Sequence, residues 1–172
     1  LAHAGMTTFA GPMAVADFGA ATPSAFTLDH CWGLLGSDRY DVDCALEGPD
    51  FESEGTLWGG NLAMVAHLAG TPHMPRVDHG ILFFEDIGEQ PYRFDRMLTH
   101  LLNCGLLQQV AGIAIGINQN CGDPKAGHTK EYRQTLEDVF AERLLPLNVP
   151  VVMGLPFGHV PLNATLPVGV RA

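Results

Sequence analysis

The chain has 172 residues, 47% of them hydrophobic, with nine Lys and Arg against nineteen Asp and Glu, for a net charge of −10. That length and apolar content suit one substantial α/β domain with an attached segment. The scattered basic residues exclude a nucleic-acid binder, which needs a basic patch, and no apolar run approaches the ~20 residues of a membrane-spanning helix.

Leu1 is not a methionine, and Leu1 to Met6 is not a targeting segment, so a longer parent protein is expected. Thr7 to Met13 is a short apolar run stopped by Gly11-Pro12 and reads as the end of a strand. Ala14 to Gly36 is predicted helical in its later half, with Gly36 as the stop. Tyr40 to Glu47 alternates with period two, and Phe51 to Trp58 is predicted to be its hairpin partner across Gly48-Pro49-Asp50.

Gly59-Gly60-Asn61 is predicted to open a helix whose apolar face is Leu62, Val65, Ala66 and Ala69. Asn61 suits an N-cap, and the glycines would let a substrate approach the backbone. Ile81 to Phe84 is a buried strand ending on the carboxylate pair Glu85-Asp86. After Pro91, Phe94, Met97, Leu98, Leu101 and Leu102 recur at helical spacing up to Gly105. Val110 to Ile117 is a second buried strand, Asn118 to His128 a loop, Lys130 to Leu145 a helix and Val149 to Gly154 a third strand. Thr165 to Val170 is a last strand. Strand, helix, strand, helix, strand gives a parallel core joined by right-handed crossovers, with a more antiparallel front part.

Ligands in open α/β sheets bind beyond the carboxyl ends of the strands. Glu85 follows the first strand of that core and His159 the third, so both face one sheet edge although 74 residues separate them. A His whose ring is oriented by a carboxylate is the base half of a nucleophilic triad. The bland alternative is a loop histidine with one backbone hydrogen bond and a glutamate capping a loop. Ser24, Ser37 and Ser53 lie outside any Gly-x-Ser-x-Gly elbow. Asp86, Glu89 and Asp95 read as solvated, Asp95 beside an arginine. Trp32 and Trp58 read as packed. Cys31, Cys44, Cys104 and Cys121 lack metal-site spacing and read as reduced thiols, and no metal site or cofactor is implied.

Five motifs occur in order: Phe9-x-Gly11-Pro12-Met13; Leu57-Trp58-Gly59-Gly60-Asn61-Leu62; Glu85-Asp86-Ile87-Gly88-Glu89-x-Pro91-Tyr92-Arg93-x-Asp95-Arg96-Met97-Leu98; Gly154-Leu155-Pro156-Phe157-Gly158-His159; and Ala164 to Gly169. Together they resemble the LD-carboxypeptidases, serine peptidases of murein recycling. The resemblance implies that residues 1–25 close an N-terminal α/β domain and 26–172 form the C-terminal domain. It further implies that Glu85 and His159 belong to a Ser–His–Glu triad whose serine lies upstream; Gly60 and Asn61 are expected to bind substrate beside the cap that Asn61 provides. The implied substrate is the murein tetrapeptide, cut before its terminal D-alanine by a cytoplasmic homodimer. An amidase of the peptide–nucleotide antibiotic immunity kind, or a non-catalytic muropeptide-binding domain, are the alternatives.

Overall fold

A computed structural model describes residues 4–36, 52–75, 78–122 and 134–172. In chain order the elements are strand β1 (Thr8–Ala10), helix α1 (Ala25–Leu35), β2 (Leu57–Asn61), α2 (Leu62–Leu68), β3 (Gly80–Glu85), α3 (Pro91–Asn103), β4 (Val110–Gly116), α4 (Leu136–Leu144), β5 (Val151–Leu155) and β6 (Leu166–Val168). Four strands form a parallel sheet in the order β2-β3-β4-β5, and β1 pairs antiparallel with β6 in a separate ribbon. The fold is therefore mixed α/β with a parallel core and an antiparallel part, as the sequence predicts.

The sheet separates two apolar clusters, because alternate residues of a strand face opposite sides. On one face Trp58, Leu82, Phe84, Ile113 and Ile115 pack against Leu62 and Val65 of α2, Phe94, Leu98 and Leu101 of α3, and Val139, Phe140 and Leu144 of α4. On the other face Leu57, Phe83 and Phe157 meet Ala10, Leu166 and Val168 of the ribbon. A strand buried on both faces has no polar alternation, which is why Leu82-Phe83-Phe84 is a continuous apolar run. The predicted spacing in α3 holds: Pro91 takes the first helical turn, Phe94, Leu98 and Leu101 are fully buried, and Gly105 closes the end at φ +73°.

Several expectations need correction. Of the predicted strand Phe51 to Trp58, Leu57 and Trp58 open β2, which runs on to Asn61 in parallel register with Ile81 to Glu85. Its predicted partner, Tyr40 to Glu47, lies outside the described residues. Gly59 and Gly60 lie inside that strand, and a Cβ on Gly59 would stand 1.8 Å from the Phe83 carbonyl oxygen. Only a glycine lets the two strands come so close there. Helix α4 runs Leu136–Leu144, and residues 130–133 of the predicted helix lie outside the described residues. Thr135 caps it, its hydroxyl accepting from the Asp138 N–H while the Asp138 carboxylate accepts from the Thr135 N–H. Trp58 is buried, but Trp32 is 61% exposed beside Phe18. Cys31 and Cys121 are buried thiols, Cys104 is exposed, and Cys44 lies outside the described residues. Among the described residues no helix is long and apolar enough to cross a membrane.

Candidate active site

Each crossover of a parallel sheet returns the chain to the same edge, so β2, β3 and β5 deliver their following residues to one place. β3 ends on Glu85. β2 ends on Gly60 and Asn61. β5 runs into the turn Pro156 to Asn163, which carries His159. That turn is fastened to the end of β4, where the Ile117 N–H donates to the Phe157 carbonyl at 3.0 Å. The Phe157 ring stands edge-on to Phe83 at 5.8 Å and lies so close to Gly116 that a Cβ there would meet it at 2.5 Å.

The structure brings the two predicted triad residues together. His159 Nδ1 lies 2.8 Å from Glu85 Oε2, and the His159 backbone N–H donates to the same oxygen at 3.2 Å. With Nδ1 donating to the carboxylate, the neutral ring keeps Nε2 as its acceptor. The Glu85 side chain is only 9% exposed and that of His159 35%, so the carboxylate is sheltered while the ring reaches the surface. Gly158 makes this approach possible: it sits at φ +122°, and a Cβ on it would fall 2.9 Å from Glu85 Oε2.

The pair opens into a cavity of about 290 Å³ that Gly60, Asn61, Asn163, Phe9, Gly11 and Met13 also line. Gly60 has φ +144° and nothing within 4 Å of where a Cβ would stand, so its wall of the cavity is bare backbone. Asn61 borders the cavity but its side chain is engaged elsewhere. Its Oδ1 accepts from the Met64 N–H at 3.2 Å, capping α2, and its Nδ2 donates to Asp86 Oδ1 at 2.8 Å.

Asp86 corrects the expectation of a solvated acid. It is 3% exposed, and its carboxylate accepts from Asn61 Nδ2, from the Ala63 N–H at 3.0 Å and from the Ile87 N–H at 2.9 Å. Its own N–H donates to Asn118 Oδ1 at 2.9 Å. Strand alternation was the available signal: if Glu85 turns to one side of the sheet, its neighbour turns to the other, here under α2. Glu89 pairs with Arg93 at 3.0 Å, and Asp95 with Arg143 at 2.5 Å, which raises the Arg143 pKa through their hydrogen bond.

Among the described serines, the Ser24 hydroxyl caps α1 and the Ser53 hydroxyl donates to the Ala111 carbonyl; neither lines the cavity. Ser37 lies outside the described residues, as do 123–128 of the predicted loop. No three His, Cys, Asp or Glu side chains among the described residues converge as a metal ion requires. Burial pushes the Cys121 thiol up, partly offset by backbone hydrogen bonds, which leaves it protonated and unreactive.

A parallel α/β sheet that sets a carboxylate-held imidazole beside a glycine-walled cavity defines a hydrolase-like site. The model of the LD-carboxypeptidase C-terminal domain matches residues 54–172, and the chain belongs to that family. The chain is 46% identical over 120 residues to a putative carboxypeptidase of Synechocystis sp., covering 70% of this chain and 38% of that protein. It is 38% identical over 122 residues to the murein tetrapeptide carboxypeptidase of Pseudomonas aeruginosa, covering 69% of this chain and 37% of that protein. The crystal structure of a muramoyltetrapeptide carboxypeptidase from Oxalobacter formigenes superposes with a TM-score of 0.88 at 41% identity, over 97% of this chain and 57% of that one. The chain thus spans roughly half, or less, of the proteins it matches.

Proposed function

We propose that this chain is the C-terminal part, residues 26–172 following the end of an N-terminal domain, of a serine-type LD-carboxypeptidase that removes the terminal D-alanine from murein tetrapeptides. The observation that carries it is the Glu85–His159 pair, 2.8 Å apart, opening into a cavity in a chain of this family. His159 Nε2 takes the proton of a serine supplied by the N-terminal domain as its oxygen attacks the scissile carbonyl. The same nitrogen returns that proton to the D-alanine amine as the C–N bond breaks. Water then attacks the acyl ester, giving its proton to Nε2, which passes it to the departing serine oxygen. Glu85 keeps Nδ1 protonated and stabilises the imidazolium formed twice in this cycle. Gly60 offers backbone to the peptide. Asn61 acts by holding that backbone, because its amide is bonded to Asp86 and Met64. The protein is cytoplasmic and homodimeric in this reading.

The competing substrate is an aminoacyl sulfamoyl adenylate, as an immunity-type amidase would use. A nucleobase needs an aromatic face to stack on. Of the aromatic rings that line the cavity, Phe83 and Phe157 are buried in packing and Phe9 belongs to the ribbon, while the exposed Trp32 lies outside it and Asn118 to Gly122 hold no aromatic residue. The test uses the full-length protein carrying this chain and compares kcat/KM for both substrates. Faster D-alanine release is expected, with a fall of about 10⁴ in kcat for Glu85→Gln. A larger kcat/KM for the adenylate overturns the substrate, and a folded protein that binds muropeptide without cleaving it overturns the enzyme.

A further inference from the structure

We propose that Thr27, on a helix far from the catalytic sheet in sequence, is the positioning residue for His159, acting through Asn163. The proposal rests on His159 being the base of the reading above.

The turn from Pro156 to Ala164 is closed at its base by the Ala164 N–H donating to the Pro156 carbonyl at 2.7 Å. Its far side, Pro161 to Asn163, must be held by something else if His159 is to keep a fixed place. Thr27 does this with one hydroxyl. Its Oγ1 donates to the Pro161 carbonyl at 2.7 Å and accepts from the Asn163 N–H at 2.9 Å, across 134 and 136 residues of sequence. Thr27 is 1% exposed, so no water competes for either bond. Asn163, itself 9% exposed, then reaches back across the turn: its Oδ1 accepts from the Gly158 N–H at 3.2 Å. The next residue is His159, whose N–H and ring both bond Glu85 Oε2. Thr27 and Glu85 both lie outside the Pro156–Ala164 turn, and the side chains of both bond to it. Glu85 grips the imidazole side and Thr27 the opposite side.

A threonine suits the task because a hydroxyl donates and accepts at once. Valine has the same shape and does neither. Losing the clamp frees the turn to shift by a fraction of an ångström, and a misplacement of about 1 Å costs on the order of 10² in rate. The imidazole would still exist and still bond Glu85, so substrate binding is little affected.

The test compares Thr27→Val, Thr27→Ser and Asn163→Ala in the full-length protein. Thr27→Val should lower kcat by about 10- to 100-fold with KM changed less than about threefold. It should also shift or broaden the downfield proton resonance of His159 Nδ1–H. Thr27→Ser, which keeps the hydroxyl, should restore both. Asn163→Ala, which leaves the Thr27 bonds in place but removes the acceptor for the Gly158 N–H, should reproduce the kcat loss and covers the case in which Thr27→Val does not fold. Wild-type kcat and an unmoved Nδ1–H resonance in either Thr27→Val or Asn163→Ala overturn the proposal, as does a Thr27→Ser variant no better than valine. A wild-type protein that releases no D-alanine defeats the peptidase reading instead, and the resonance still decides whether Thr27 positions the ring.

Discussion

The two faces of the parallel sheet are held by different forces. Under α2, α3 and α4 the sheet buries a broad apolar cluster, drawn from strands and helices that alternate along the chain. Under the ribbon the buried apolar cluster is smaller, Leu57, Phe83 and Phe157 with half-buried Leu166 and Val168 against them, and hydrogen bonds that span 74, 134 and 136 residues add to it. Hydrophobic burial is non-directional and supplies stability; hydrogen bonds are directional and supply placement. The His159 turn sits on the second face, so it is positioned more by bonds than by packing.

That contrast breaks most visibly with one aromatic truncation on each side. Phe94→Ala, at a fully buried site against Phe140, should cost about 3–5 kcal/mol in a urea titration. Phe9→Ala in the ribbon, where the side chain is 48% exposed, should stay within about 0.5 kcal/mol. Comparable losses would mean that the ribbon face is packed as firmly as the helical one.

A smaller effect is expected at Asp86, where the helical face borrows polar bonding. Asp86→Ala leaves Asn61 Nδ2 and the Ala63 and Ile87 N–H groups without their acceptor, at a cost of about 1–3 kcal/mol. Unchanged stability would show that water replaces the carboxylate.

Least in size is a pH effect on α1, the helix that carries Thr27. Burial lowers the pKa of His30 below its ordinary value, and the nearby Asp29 carboxylate only partly offsets it. A lowered folded pKa means that the fold prefers the neutral ring. Its contribution is therefore full above the ordinary value of about 6.5 and is lost as pH falls through the folded value. His30→Phe, which keeps a ring against Phe26, should show a smaller fall in Tm between pH 7.5 and 5.5 than the parent chain. An equal fall in both would remove His30 from the account.

The helical face was legible because its signals are local. Leu82-Phe83-Phe84 shows a strand buried on both sides, and Phe94, Leu98 and Leu101 recur at the spacing of one helical face. The meeting of Glu85 and His159 was legible from topology, since parallel strands end at one edge. What sequence left dark has physical causes. Gly59-Gly60 looks like a chain breaker, yet it lies in a strand where Gly59 admits the Phe83 carbonyl. Asp86 reads as one more surface acid because its acceptors' partners, Asn61 and Ala63, lie over twenty residues away. Trp32 sits on a helix whose apolar residues are spread around it, so no face marks it as exposed. Thr27 and Asn163 leave no local trace, because no period connects residues 136 apart.

The length of those spans also sets an order of assembly. Neighbouring units of the parallel sheet can join while the rest of the chain is loose, each closing a short loop. The Thr27–Asn163 bond closes a loop of nearly the whole chain, and the Glu85–His159 bond one of 74 residues. Longer closures carry more entropy to lose, and contacts with little apolar backing open at lower free energy than the core. The amides of His159 and Asn163 are thus expected to gain protection later on folding than those of β3 and β4, and hydrogen exchange checks it. A molecule can lose its working geometry while its sheet is still intact.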